Sequence, residues 1–281
     1  MYDKKFINYN FMSRPAKFCL DISDEIYKSV GVSRVNKNSF DLGGMVDGDI
    51  LFVKTDFIYS GEFQTKYLPR IDKKFILISG ISDYSIESGH PSYVNIIMNP
   101  NLIKWFCTNP PNIISEKLEW LPVGFQEEER PGGNLKILNK QFSSSTDWVD
   151  KENKVYIPFH TTSNYSGREK LINELSQNDF CVVEKNKLGF DDYLTELNKY
   201  KYVLSLRGNG WDCHRHYESL LVGSVPVLEN GPILESFKSN GLPVLPLEEI
   251  NTNIFNKEFN FLNVKDFLTM DYHINKIKET I

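Results

Sequence analysis

The amino-acid sequence predicts an α/β protein with a parallel sheet in its C-terminal half. Short apolar runs recur along the chain, each closed by turn-forming residues, the mark of buried strands rather than helices. Segments of helical length separate them, and a β-α-β-α order implies right-handed crossovers between parallel strands. The chain has 281 residues, 41% apolar and 25% charged. That suffices for one large globular domain or two small ones.

The first strands are expected at Ile50–Val53, Phe75–Ile78, Lys104–Cys107 and Leu118–Leu121, with helices around 22–30, 56–68 and 96–102. Gln126-Glu-Glu-Glu-Arg-Pro-Gly-Gly-Asn134 is charged and turn-forming, and Gln141-Phe-Ser-Ser-Ser-Thr-Asp147 is polar. Together they read as an exposed connection, with a boundary within 126–152. The expected domains are 1–140 and 152–281, the last helix packing back on the first. Beyond the boundary, strands are expected at Val155–Phe159, Phe180–Val183, Tyr202–Ser205, Val225–Leu228 and Pro243–Leu245. Helices fall between them, at 167–176, 190–199, 212–222 and 232–239. Parallel sheets take ligands at the carboxyl ends of their strands, so the loops after 159, 205 and 228 are the places to look.

Composition excludes several function classes. A net charge of −5 argues against a general nucleic-acid binder. Cys19, Cys107, Cys181 and Cys213 are far apart, which fits neither a disulfide framework nor a structural zinc site. The start, Met1-Tyr-Asp-Lys-Lys-Phe6, leads into no apolar signal core, and no run of about 18 apolar residues predicts a membrane span. The expected location is cytoplasmic, or lumenal if a signal or anchor has been removed.

The stretch from Tyr202 to Leu228 carries the chemistry: a strand, a glycine turn, a helix and a second strand. Gly208 and Gly210 are expected to take positive φ and let the backbone approach a ligand. Asp212 is expected to N-cap the helix, whose free amides form an anion site, and Gly223 to end it. His214, Arg215 and Glu218 fall within a 100° arc at 100° per residue. Arg215 can neutralise a diphosphate, with Arg207 as a second charge, and Glu218 can accept from two ribose hydroxyls. On spacing alone, an i,i+3 ion pair beside an ordinary turn explains the same residues.

This segment resembles the donor-binding motif of exostosin-like glycosyltransferases, glycosyltransferase family 47. The matching runs are Ser205-Leu-Arg-Gly208, Arg215-His-Tyr-Glu218 and Gly223-Ser-Val-Pro-Val227, with Leu206 where that family often has proline. Arg207-Gly-Asn209-Gly210-Trp-Asp212-Cys-His214-Arg215 looks like a compact microbial, viral or ribitol-xylosyltransferase-like subgroup. The resemblance is strong over 154–247 and weaker over 48–125. There, Phe52-Val-Lys-Thr-Asp56, the run from Phe75 to Asp83, Asn109-Pro and Leu121-Pro-Val-Gly124 look like the acceptor half. It implies a GT-B-like fold of two Rossmann-like domains facing a cleft. It also implies an NDP-sugar donor, UDP-linked and with xylose favoured by the subgroup, a glycan acceptor, inversion at the anomeric carbon, and neither cofactor nor essential metal.

Two loops fit that reading. Thr161, Thr162 and Arg168 can meet phosphate oxygens, and the loop from Glu184 to Tyr193 can grip a nucleobase. An inverting transfer needs a base. Asp83 is the first candidate, after a buried strand, with His90 and Asp56 as alternatives and a helix cap or turn role the plain explanation of each. Asp47-Gly-Asp49 has the form of a metal-binding D-x-D but precedes its strand, where Asp-Gly is a routine turn. His214 and His216 lie about 200° apart on a helix and cannot share one ion, which leaves Cys213 and His216 short of a zinc site. A non-catalytic nucleotide- or carbohydrate-binding module on the same fold is the alternative function.

Overall fold

Parallel pairing organises the computed structural model. It describes residues 5–8, 12, 15–21, 42–86, 90–110, 113, 115–158 and 168–280. The chain divides into two compact units, one of Ile7–Val123 with Met270–Ile281, the other of Met1–Phe6 with Gly124–Thr269. Each carries a five-stranded sheet whose pairings are all parallel. Two Rossmann-type α/β units in one chain are the modules from which a GT-B fold is composed. Among the described residues no helix is long and apolar enough to cross a membrane.

The N-terminal unit holds β1 (Phe18–Leu20), β2 (Asp49–Lys54), β3 (Phe75–Gly80), β4 (Leu102–Cys107) and β5 (Leu118–Trp120), side by side in chain order. Every residue of β3 is buried, the mark of a central parallel strand covered on both faces. Alternate residues Leu51, Val53, Leu77, Trp105 and Cys107 share one core with Ile58 and Phe63 from the β2–β3 crossover and Tyr93 and Ile96 from the β3–β4 crossover. The first crossover contains α1 (Thr55–Tyr59), a π-helical turn at Phe63–Tyr67 and a 3₁₀ turn at Leu68–Arg70. The second contains α2 (Pro91–Ile97), which begins on proline, whose fixed φ and missing N–H suit a first turn. The helix expected at 96–102 is thus a turn earlier. Residues 102 and 103 belong to β4 instead, with Leu102 opposite Phe75 and β-branched Ile103 the extra residue where the register shifts before Lys104 pairs with Ile76. β1 had no sequence expectation, and the helix expected at 22–30 lies outside the described residues.

The C-terminal unit holds β6 (Glu152–Ile157), β7 (Cys181–Val183), β8 (Tyr200–Leu204), β9 (Val225–Leu228) and β10 (Leu245–Pro246). Their spatial order is β10-β9-β8-β6-β7. The chain therefore steps outward from β6 to β7, returns across β6 to β8, and then proceeds the other way. Helices α4 (Arg168–Leu175), α5 (Phe190–Leu197), α6 (His214–Leu221) and α7 (Pro232–Ser239) connect successive strands. All four coincide with expected helices to within two residues.

The expected exposed connection holds a helix, α3 (Leu135–Ser143). Asn134 caps it by accepting from the amides of Lys136 and Ile137 at 3.1 and 3.2 Å. Gln141 is buried and donates to the Asp191 carboxylate at 2.7 Å, while Lys140 pairs with the same group at 2.6 Å. The segment's polar composition thus reflects anchorage to α5 rather than solvent. Phe6 packs edge-on to Phe125 and Phe142, which explains why the first residues count with this unit. Short α8 (Val264–Phe267) and α9 (Met270–Lys278) end the chain, and Lys276 of α9 pairs with Glu119 of β5.

Candidate functional site

A sheet whose strand order reverses leaves a crevice where neighbouring connections depart in opposite directions. In the C-terminal unit that point lies between β6 and β8. The described residues that leave it are Pro158 and Arg168 on the β6 side and Ser205 to Cys213 on the β8 side. Thr161 and Thr162 belong to the first connection but lie outside the described residues.

Three arginines meet there. Arg168, the first residue of α4, is only 7% exposed and donates to the carbonyl of Arg207. Burial first, then the nearby charges of Arg215 and Arg207, hold its guanidinium below the usual arginine range. Like charges gathered in low dielectric cost free energy in the absence of a counter-charge. Glu229, just past β9, partly offsets them and accepts from the Arg207 amide at 2.7 Å. The Arg207 guanidinium lies over the Trp211 ring at 4.6 Å, a cation–π contact. Arg207, Trp211, Glu229, Asn230, Leu247 and Glu248 line an open cavity of about 360 Å³. Gly231 makes room for this arrangement, since a Cβ there would collide with the Trp211 ring.

Helix α6 supplies the second part. Burial works against the charge of Arg215, while Tyr193, Cys213 and Glu218 favour it and leave its affinity for the proton raised. Burial pushes the Glu218 carboxyl up, against His214, Arg215 and a hydrogen bond that Tyr193 donates at 3.0 Å. Arg215 and Glu218 thus converge with Tyr193 of α5 rather than pairing only with each other. His214 lies on the same side of α6, and its Nδ1 donates to the Gly124 carbonyl at 2.8 Å.

Several expected residues face inward instead. Asp212 is not the cap: Cys213 occupies that position without a side-chain hydrogen bond, and the Asp212 carboxylate accepts from buried Tyr217 at 2.6 Å. Aspartate's cap preference lost to a stronger buried partner. Neither Gly208 nor Gly210 takes positive φ, and the chain turns through a bend at 209–211 without a left-handed residue, although a Cβ at Gly208 would face open space. Asn209 is exposed. Gly223 does end the helix, at φ +74°. The Ser205 hydroxyl lies 2.7 Å from His216 Nδ1, while His216 Nε2 lies 3.2 Å from the Trp211 carbonyl. A carbonyl only accepts, so Nε2 carries the proton and Ser205 donates to Nδ1. Burial lowers the basicity of His216, which keeps this link between β8 and α6 neutral. Glu184 accepts from the Asn186 amide at 2.8 Å, a turn contact.

In the N-terminal unit, Asp83 is exposed on the connection after β3. His90 stacks on Tyr59 and lies tilted against Tyr93, and Asp56 pairs with buried Lys54 at 3.1 Å. Both carboxylates of Asp47-Gly-Asp49 accept backbone amides, from Lys74 at 2.8 Å and Val46 at 2.7 Å, as turn residues do. Among the described residues no three His, Cys, Asp or Glu side chains gather as a metal site would require.

Trp211 and Glu229 had no expected role, and Tyr193 had one only as the end of the loop assigned to a nucleobase, not as a partner of Glu218. Glu229 had a signal, its place at the end of β9, whereas Tyr193 is brought to Glu218 by packing alone.

No protein-family model matches the chain, and no curated protein does. Among solved structures, one described as an alpha1,3-fucosyltransferase aligns over 95% of this chain and 81% of that one. The identity is 11% and the TM-score 0.38. The likeness is remote, and the fold is read from the two sheets themselves.

Proposed function

We propose that this chain is an inverting glycosyltransferase that moves a sugar from a nucleoside diphosphate donor to a glycan hydroxyl. The observation that carries the reading is the convergence of Arg168, Arg207 and Arg215 at the switch point of the C-terminal sheet. A cluster of like charges around buried Arg168 calls for a multiply charged anion, and a diphosphate is of that kind. The amides at the start of α6 add to the same field. Glu218, held by Tyr193, is assigned to the ribose hydroxyls, and the cavity beside Trp211 to the donor's uncharged portion. The motif resemblance favours a UDP-linked donor, with xylose as the sugar.

In the proposed step a carboxylate takes the proton of the acceptor hydroxyl. The freed oxygen forms its bond to the anomeric carbon as the bond from that carbon to the diphosphate oxygen breaks, inverting the centre. The arginines hold the charge left on the diphosphate, the role a metal ion plays elsewhere. Asp83, exposed after β3, is the assigned base.

Thermal unfolding with UDP, GDP, CMP and their common sugars, with and without EDTA, tests this reading. A ligand at 100 times its Kd adds about 2.7 kcal/mol of stability. The expected result is a rise with one nucleotide class, insensitive to EDTA and lost in folded Arg215→Ala and Glu218→Ala variants. No rise with any nucleotide would overturn the proposal and favour a carbohydrate-binding module.

A further inference from the structure

A row of aromatic rings crosses the N-terminal unit from core to surface. Trp105 of β4 lies at its base, fully buried, with its indole donating to Ser79 Oγ at 2.8 Å. Tyr93 of α2 packs on Trp105 with ring centres 6.2 Å apart, and His90 lies 4.7 Å from Tyr93. Tyr59, at the end of α1, follows at 5.3 Å, and Tyr84 stacks on Tyr59 at 3.9 Å with the rings only 6° from parallel. The last two rings are 45% and 43% exposed. Two large aromatic rings stacked outward into water at the carboxyl ends of β2 and β3 are not explained by the core.

The backbone beneath Tyr84 is also unusual. Ile81, the first residue after β3, has φ +57°, a left-handed conformation that β-branched residues rarely adopt. Asn109, itself at φ +53°, donates from Nδ2 to the Ser82 carbonyl at 2.7 Å, and the Tyr93 hydroxyl donates to the Ser85 carbonyl at 3.1 Å. Strain of this kind persists where the surrounding structure enforces it, and it clusters at ligand sites. Here it fixes the segment that carries Tyr84, so the ring is pre-organised before any ligand arrives.

We infer that the Tyr84–Tyr59 stack is a carbohydrate platform, and that the acceptor in the proposed transfer lays a sugar ring on it. The polarised C–H face of a pyranose suits the negative face of an aromatic ring. Asp83, exposed, is adjacent to Tyr84 in sequence, and Asp56 lies three residues before Tyr59 on α1, where it pairs with Lys54. Carboxylates accept from sugar hydroxyls and repel phosphodiesters, which selects a neutral saccharide over a nucleic acid. The inference rests on the glycosyltransferase reading for the word acceptor, whereas the platform itself rests on the rings.

Saturation-transfer NMR on the full chain with a panel of methyl pyranosides, lactose and N-acetylglucosamine tests it, alongside the nucleotide thermal shift on the same samples. At least one saccharide is expected to bind. Tyr84→Ala is expected to weaken it about tenfold and Tyr84→Phe to retain it, both leaving the nucleotide shift unchanged. Binding by no saccharide of the panel, or equal binding by Tyr84→Ala, overturns the inference while the nucleotide result stands. Saccharide binding that depends on Tyr84, in a protein that binds no nucleotide, keeps the platform and removes the transferase reading.

Discussion

The two sheets are each five-stranded and parallel, yet they differ in strand order, and the chemistry differs with it. In the N-terminal sheet the order follows the chain, so successive crossovers advance in one direction and the described strands form no reversal. In the C-terminal sheet the return across β6 creates one, and three arginines gather there. What collects at the carboxyl ends of the N-terminal strands is instead aromatic and acidic: Tyr59, Tyr84, Asp56 and Asp83. Similar secondary structure thus yields an arginine cluster in one unit and an exposed aromatic stack in the other. A crevice concentrates charge where helix starts and cationic side chains converge, whereas a sheet without one presents its loops side by side.

The comparison can be broken by substitutions confined to one unit. The largest effect is expected for Trp105→Ala, which removes the base of the aromatic row and leaves the Ser79 hydroxyl without its indole partner. The cost should be about 3–5 kcal/mol, read by chemical denaturation, and saccharide binding should fall with it. A variant that unfolds as the parent does would show that the row is not part of the core.

A smaller effect is expected for Gly231→Ala in the C-terminal unit. Its Cβ must displace Trp211 and with it the Arg207 stack, at about 1–3 kcal/mol of overpacking. Nucleotide affinity should drop several-fold in calorimetry, with saccharide binding untouched. Loss of both ligands together would erase the division of labour between the units.

The smallest effect concerns two buried lysines. Lys54 of the N-terminal unit has the Asp56 carboxylate as partner. Lys151 of the C-terminal unit has only neutral ones, the Asn198 carbonyl at 2.5 Å and its side-chain oxygen at 2.8 Å. Burial lowers Lys151 to about 7 from an ordinary 10.5. Between those values the unfolded chain binds more protons than the folded one, so this group makes stability rise with pH. The slope is at most about 1.4 kcal/mol per pH unit. Denaturation midpoints from pH 7 to 9 should climb less steeply in Lys151→Met than in the parent. Identical slopes would place the proton elsewhere.

Much of this molecule was legible in the sequence, and the reason is local. The runs at 50–53, 75–78 and 225–228 are strands because fully buried parallel strands must be continuously apolar, and no partner needs to be known to see that. Helices α4 to α7 follow from glycine, proline and periodicity, and Gly223 ends α6 because an L-residue with a side chain resists the left-handed turn. The spacing of Arg215 and Glu218 already placed both on one face. What the sequence could not supply were facts that depend on which strand returns beside which. The order β8-β6-β7 brings Arg168 to Arg207 and Arg215 across 39 and 47 residues of chain. Packing of α5 on α6 brings Tyr193 to Glu218, and burial turns Asp212 inward to Tyr217. The segment at 135–143 looked like a loop because its polar residues serve a neighbour, Asp191, that lies 50 residues away. Local propensity decided the elements, and long-range burial and charge decided which side chains meet.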